Sequence, residues 1–262
     1  MSFEYILVET KGPVTTITMN RPAVLNAITP AMHHEMQAAF DRFAEDSSQY
    51  ICVVTGAGER AFCAGSDLKA AAQNGITGNT YPKNGYAGLI ERYDLAKPVI
   101  AAVNGIARGG GFEVALACDL IIATENASFG LPEPLVGAVA LGGGVHRLAR
   151  QIGLKRAMAM ALTSEPVSAQ EGLALGFVNE VVPSKQLRDA TERWCETILR
   201  AAPLAIRATK ATMMRGLDEA SLAQALKAQA SYPEFATWRV AEDTKEGPRA
   251  FAEKRKPNWQ GR

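Results

Sequence analysis

Apolar and β-branched residues run from Tyr5 to Glu9 and again from Val14 to Met19, with Lys11-Gly12-Pro13 between them, and this pattern predicts two strands joined by a turn. Arg21-Pro22 ends the second. The period then changes: Thr29-Pro30 offers an N-cap and a proline at the first helical position, and Met32, Met36, Phe40 and Phe43 follow on one helical face. Three later segments repeat one plan, a short apolar strand, a small-residue turn, a brief second strand and a helix start. They are Ile51 to Thr55 leading into Phe62-Cys63-Ala64-Gly65, Val99 to Val103 leading into Asn104-Gly105 and Gly109-Gly110-Gly111, and Leu120 to Ala123 leading into Ser128-Phe129-Gly130. A degenerate ββα repeat of this kind predicts a spiral in which each turn buries its face on its neighbours.

After about Gly142 the pattern becomes helical. Ser168-Ala169-Gln170-Glu171 has capping-box form and opens a short helix ending near Gly176, before a strand at Val178 to Val182. From Lys185 onward, apolar residues recur at helical spacing through Leu187, Trp194, Leu199, Ile206 and Met213, then Leu222 and Leu226. The expected organisation is α/β, with a spiral ββα core over residues 1–200 and a C-terminal helical region over 201–262. Such an apolar tail needs a partner surface, on the same core or on another subunit.

Composition narrows the function. The 262 residues are 47% hydrophobic, enough for one large core, and 28 Lys and Arg against 27 Asp and Glu give a net charge of +1. No general field for nucleic acid or an anionic membrane results, so any anion must be met by a local cluster. Cys52, Cys63, Cys118 and Cys195 are scattered without a C-x-x-C spacing, which suits reduced, buried thiols. Met1-Ser2-Phe3-Glu4 lacks a basic n-region, and the longest apolar runs, such as Pro98 to Val103, are too short to span a bilayer. A soluble cytoplasmic protein is expected.

Several catalytic devices can be set aside. Gly109-x-Gly111-x-x-Val114 lacks the third small residue of a dinucleotide fingerprint, no phosphate-binding loop is present, and Ala64 and Leu68 stand where a nucleophile elbow around Ser66 needs glycine. His33 and His34 point about 100° apart on a helix, and with His146 they make no ligand set. Two turns and two glutamates remain. Three glycines before Phe112-Glu113 leave unpaired N–H groups at a helix start, Ala64-Gly65-Ser66-Asp67-Leu68 exposes further amides near Ser66, and Glu133 follows in Gly130-Leu131-Pro132-Glu133. Taken singly, each has a plain reading: a tight turn capped by Asp67, close packing at the glycines, a first-turn glutamate. Together they match a thioester enolate, which needs two convergent donors for its oxygen while two carboxylates move protons at neighbouring carbons.

At these residues the chain resembles the crotonase, or enoyl-CoA hydratase, superfamily. The resemblance is carried by Asn20-Arg21-Pro22 with Leu25-Asn26-Ala27, Phe62 to Leu68, Lys97 to Gly105, the triple glycine, Ala127 to Glu133, and the ending Phe251-Ala252-Glu253-Lys254-Arg255. It implies the crotonase (ClpP-like) fold, with the N–H groups of Ser66 and Gly110 as the oxyanion hole and Glu113 and Glu133 as the pair that positions a water and transfers its proton. Ala64, Gly65, Asp67 and Leu68 would line the thioester and pantetheine path, and Phe251 and Lys254 would approach the CoA, sometimes from a neighbouring subunit. Trimers, often paired into hexamers, are implied too.

Departures from the family pattern at three positions bear on substrate range and water placement. Ala140 stands where a proline is usual and Leu141 near the active water, and Arg108 precedes the triple glycine. The resemblance implies an enoyl-CoA hydratase, adding water to a 2-trans-enoyl-CoA in fatty-acid or related acyl-CoA catabolism. It needs no metal and no cofactor beyond the CoA of its substrate. A carnitinyl-CoA dehydratase is the nearest alternative, suggested by Gly85 to Asp94, the Gly-Gly-Gly-Phe-Glu stretch and Glu246-Gly247-Pro248. An enoyl-CoA isomerase, or a non-catalytic acyl-CoA binder, follows. Residues 70–84, with Tyr81, are expected to form a loop beside the acyl pocket.

Overall fold

Gly12, at a φ of +56°, turns the chain back on itself, so that β1 (Ile6–Lys11) pairs antiparallel with β2 (Val14–Met19), Ile6 opposite Met19 and Lys11 opposite Val14. This hairpin is as the sequence predicts, with β1 starting one residue later and ending two residues later than expected. The structure, a computed structural model, describes residues 3–68 and 81–262. Thr29 caps the helix Pro30–Glu45 by accepting a hydrogen bond from the Met32 N–H at 3.3 Å, and Met32, Met36, Phe40 and Phe43 are all buried.

The two strands of each of the three repeats form as expected and divide between two sheets. The expected helix start is the helix Gly110–Ala117 in the second repeat and only a 3-10 turn, Glu133–Val136, in the third, and in the first it falls outside the described residues. The first strands, β3 (Ile51–Gly56), β5 (Val99–Val103) and β7 (Leu120–Thr124), join the hairpin and β10 (Glu180–Val182) in a six-stranded sheet of order β1-β2-β3-β5-β7-β10, parallel after the hairpin. Every residue of β5 is buried, the near-continuous apolar run expected of a parallel strand covered on both faces. The second strands, β4 (Ala61–Cys63), β6 (Ile106–Arg108) and β8 (Ser128–Gly130), line up in a four-stranded sheet of order β4-β6-β8-β9, parallel except for β9 (Val167–Ser168). Strand and turn alternation thus places three successive turns side by side.

The chain divides into two compact units, one holding the described residues of 1–92 with 99–192, the other 93–98 with 193–262. In the first, the helix Gly110–Ala117 is buried on all sides, and Phe112 packs with Phe129 and Phe177 at centroid distances of 5.2 to 5.3 Å. Ser168 and Glu171 close the predicted capping box on the helix Ala169–Leu175. The second unit is helical, with segments Pro203–Gly216, Leu222–Ala228, Pro233–Arg239 and Asp243–Ala252. Its C-terminal end is tied by Glu246, which accepts hydrogen bonds from Arg255 and the Asn258 N–H, and by Asp243, which accepts from the Gln260 and Gly261 N–H groups.

Candidate active site

Neighbouring strands β4, β6 and β8 all end at the same edge of their sheet, and each delivers one part of the site from its carboxyl end. Strand β4 leads to Ser66, β6 to Gly110 and Glu113, and β8 to Glu133. Residues from 20 to 67 positions apart in sequence, Glu113 and Glu133 at the near extreme and Ser66 and Glu133 at the far one, are therefore delivered to one end of the sheet.

The two donor turns touch. A Cβ on Gly65, whose φ is +94°, would stand 2.9 Å from the Arg108 carbonyl oxygen and 3.2 Å from the Gly110 nitrogen, so glycine is required there by both torsion and space. Ile28 fixes the direction of the first turn: its N–H donates to the Gly65 carbonyl at 2.8 Å and its carbonyl accepts from the Asp67 N–H at 3.0 Å. Backbone groups alternate sides along an extended segment, which leaves the Ser66 N–H pointing the other way. Gly110 is the first residue of its helix, where amides lack intrahelical partners. Among the described residues, neither amide has an acceptor. Asp67 itself pairs with Arg21 Nη1 at 3.0 Å, and Arg21 also donates to the Ala27 carbonyl, so this side chain anchors the turn.

Glu113 is 3% exposed and lies in the first turn of the helix Gly110–Ala117. Its Oε1 accepts the Gly144 N–H at 2.9 Å, and a Cβ on Gly142 would fall 2.3 Å from Oε2. The run Gly142-Gly143-Gly144 therefore wraps the carboxylate, and this second glycine run was not read as part of the site from sequence; its only signal there was three consecutive glycines. Burial, with a smaller push from the nearby Glu133 charge, raises the Glu113 carboxyl from its usual 4.5 to about 7 against the Gly144 and Gly142 amides and Arg147, which hold it down. That shift corresponds to roughly 3 kcal/mol in favour of the protonated form, comparable to the 1.5–3 kcal/mol or so that burying the adjacent Phe112 contributes.

Glu133 opens a 3-10 turn, Glu133–Val136, between Pro132 and Pro134, and Gly137 ends it at a φ of +72°. Two prolines fix the approach of the side chain. Its Oε1 faces the triple glycine, since a Cβ on Gly109 would be 3.0 Å from it, and its Oε2 is buried with no hydrogen-bond partner among the described residues. Burial raises this carboxyl as well. An unsatisfied buried oxygen is costly, and a proton or a substrate group relieves that cost.

The remaining expected positions divide. Ala64 and Gly65 line the first turn, and Leu68 is 55% exposed beside it. Arg108 ties β6 to β8 by donating to Ser128 Oγ at 3.1 Å. Ala140 is buried, but Leu141 is 79% exposed. His33 is packed, its Nδ1 accepting the Ala87 N–H at 2.9 Å, and His34 and His146 are exposed. All four cysteines are free and buried. Phe251 and Lys254 belong to the second unit, Phe251 87% exposed. Of the expected acyl loop, residues 70–80 lie outside the described residues. Among the described residues, no group of three or more His, Cys, Asp and Glu is arranged to hold a metal ion, and no helix is long and apolar enough to cross a membrane.

Known proteins are similar to this chain over nearly its whole length. A family described as enoyl-CoA hydratase/isomerase matches residues 9–262. A carnitinyl-CoA dehydratase of Proteus mirabilis (strain HI4320) is 45% identical over 258 residues, 97% of each chain. Among solved structures, an enoyl-CoA hydratase from Mycobacterium tuberculosis H37Rv superposes with a TM-score of 0.91 at 36% identity, covering 98% of this chain and 99% of that one. Another, from Bacillus anthracis, gives 0.90 at 34% identity, covering 99% and 100%.

Proposed function

The chain belongs to the enoyl-CoA hydratase/isomerase family, and from that premise we propose that it is a hydro-lyase interconverting a 2-trans-enoyl-CoA and its 3-hydroxyacyl-CoA. The observation that carries this reading is the glycine-held Glu113 carboxylate and the buried Glu133 oxygen at the ends of adjacent strands, beside the Ser66 and Gly110 amides, the oxygen and both amides having no partner among the described residues. The thioester oxygen accepts the Ser66 and Gly110 N–H groups, which draws electron density away from C3. Glu113, ionised, takes a proton from water as the water oxygen bonds to C3. The C2–C3 double bond becomes an enolate whose charge rests on the two-amide site, and protonated Glu133 then gives its proton to C2. One proton enters Glu113 and one leaves Glu133, so the pair resets by exchange with solvent. Dehydration runs the same steps backward. An isomerase shifting a double bond manages with one carboxylate, so a second one, buried and clasped at a cost, favours water chemistry.

Hydration of crotonyl-CoA, followed by loss of the conjugated thioester absorbance, tests this. Turnover by the wild-type chain is expected, and binding without turnover across an enoyl-CoA panel contradicts it.

A second reading is favoured by the similarity to a carnitinyl-CoA dehydratase: the acyl group carries a quaternary ammonium beyond C3. Parallel assays with crotonyl-CoA and crotonobetainyl-CoA separate the two by kcat/KM. Assembly, location and CoA contacts belong to the same proposal: trimers, single or paired, in the cytoplasm, with Phe251 and Lys254 at the CoA. Exposed Leu217, Leu222, Leu226 and Val240 in the second unit support the assembly, and light scattering tests it.

A further inference from the structure

One buried hydroxyl beside the two amides has no part in the chemistry above. Tyr86 is 3% exposed, and its hydroxyl lies 3.2 Å from Ser66 Oγ. Its ring covers Gly110 so closely that a Cβ there would be 2.2 Å from Cζ and 2.3 Å from the hydroxyl oxygen. One side chain therefore touches both residues whose amides face the thioester oxygen.

The backbone around it is arranged to keep it there. Gly85, Ala87 and Gly88 have φ angles of +72°, +54° and +61°, and for Ala87 the left-handed conformation costs on the order of 1–3 kcal/mol. Two contacts hold that strain: the Ala87 N–H donates to His33 Nδ1 at 2.9 Å, and Gly88 lies so close to the helix Pro30–Glu45 that a Cβ would be 2.5 Å from Gln37 Cα. The His33 ring meets the Tyr86 ring edge-on at 4.4 Å. Strain held by several independent contacts fixes one side chain at one place.

We propose that the Tyr86 hydroxyl is a third donor to the thioester oxygen, alongside the Ser66 and Gly110 N–H groups, and strengthens its bond as that oxygen gains charge. The assignment rests on the acyl-CoA reading of the site. Ser66 Oγ donates to the phenolic oxygen, which leaves the phenolic proton for the substrate. Burial, helped by Cys63, Glu113 and Tyr81, keeps the phenol protonated well above its ordinary 10, so it donates at every working pH. It remains a donor throughout, and no proton leaves it.

Tyr86→Phe keeps the ring and removes the hydroxyl. With crotonyl-CoA, kcat is expected to fall about 10- to 100-fold while KM stays within about threefold. Cinnamoyl-CoA, whose conjugated thioester absorbs at longer wavelength when its carbonyl is polarised, supplies a readout independent of turnover. The red shift on binding should shrink in Tyr86→Phe, and shrink less in Ser66→Ala, which keeps the amide. Unchanged kcat in Tyr86→Phe overturns the proposal, and so does a lowered kcat with the full red shift, which would make the residue structural. If the wild type shifts cinnamoyl-CoA but hydrates no enoyl-CoA, and Tyr86→Phe loses the shift, hydration fails as the function and the Tyr86 assignment stands.

Discussion

The Gly144 N–H donates to Glu113 Oε1 at 2.9 Å across 31 positions of sequence, joining the last glycine of one triple run to the glutamate that follows the other. The first run opens the helix that carries Glu113, and the second holds its carboxylate. A buried carboxyl can serve as a base near neutral pH only if something favours its ionised form, and these amides do so against the burial that opposes it.

Gly142→Ala tests the clasp. The new Cβ would fall 2.3 Å from Glu113 Oε2, and the carboxylate must move aside. Displacement of a reacting group by about 1 Å can cost on the order of 100-fold. We expect a kcat loss of about that size with the fold intact by circular dichroism; kcat within about twofold of wild type would show that the glycine run does not position the base.

The raised Glu113 carboxyl makes stability depend on pH with a definite sign. Its native value of about 7 lies above the ordinary 4.5, so the native state holds the proton more tightly than the unfolded chain. The stabilisation is full below about pH 4.5 and is lost as pH rises through about 7. Glu113→Gln removes the ionisable group, so above pH 7 the variant should melt higher than wild type, by at most roughly 3 kcal/mol, with no such gain near pH 4.5. Thermal melts at pH 4.5, 6 and 8 check this, and a parallel offset at all three contradicts it. Wild-type kcat/KM for hydration should rise with pH through the same window.

Asp67→Asn addresses the first donor turn. Arg21 bridges Asp67 and the Ala27 carbonyl with both charged side chains mostly covered, so the substitution leaves the guanidinium short of its anion. A cost of about 1.5–3 kcal/mol is expected, together with a lower kcat as the Ser66 amide loses its anchor. Denaturant unfolding and kinetics should move together; a wild-type midpoint would show that the pair does not secure the turn.

Elements set by local pattern were legible in the sequence. The hairpin around Gly12, the Thr29 cap, the three strand pairs and the Ser168–Glu171 box all depend on neighbours a few residues apart. The short β9 was not, because Val167 and Ser168 pair only by lying against β8. The predicted strand from Val178 begins at Glu180, since Phe177 and Val178 are still turning out of the preceding helix, their N–H groups on the Gly172 carbonyl. At the site, Glu113 and Glu133 could be named from motif, but the Gly142–Gly144 clasp and the placement of Tyr86 on Gly110 arise from segments far apart in sequence. Leu141 is exposed while its neighbour Ala140 is buried, a difference the glycine-rich run of sequence gives no sign of.

The division of labour between the glutamates is tested most directly by the kcat of Glu133→Gln for crotonyl-CoA hydration. Glutamine fills the same space but has no proton to give to C2. A fall of about 100- to 10,000-fold with KM little changed is the predicted result, the range for loss of a general acid; full wild-type turnover would contradict the assignment of Glu133 as the proton donor.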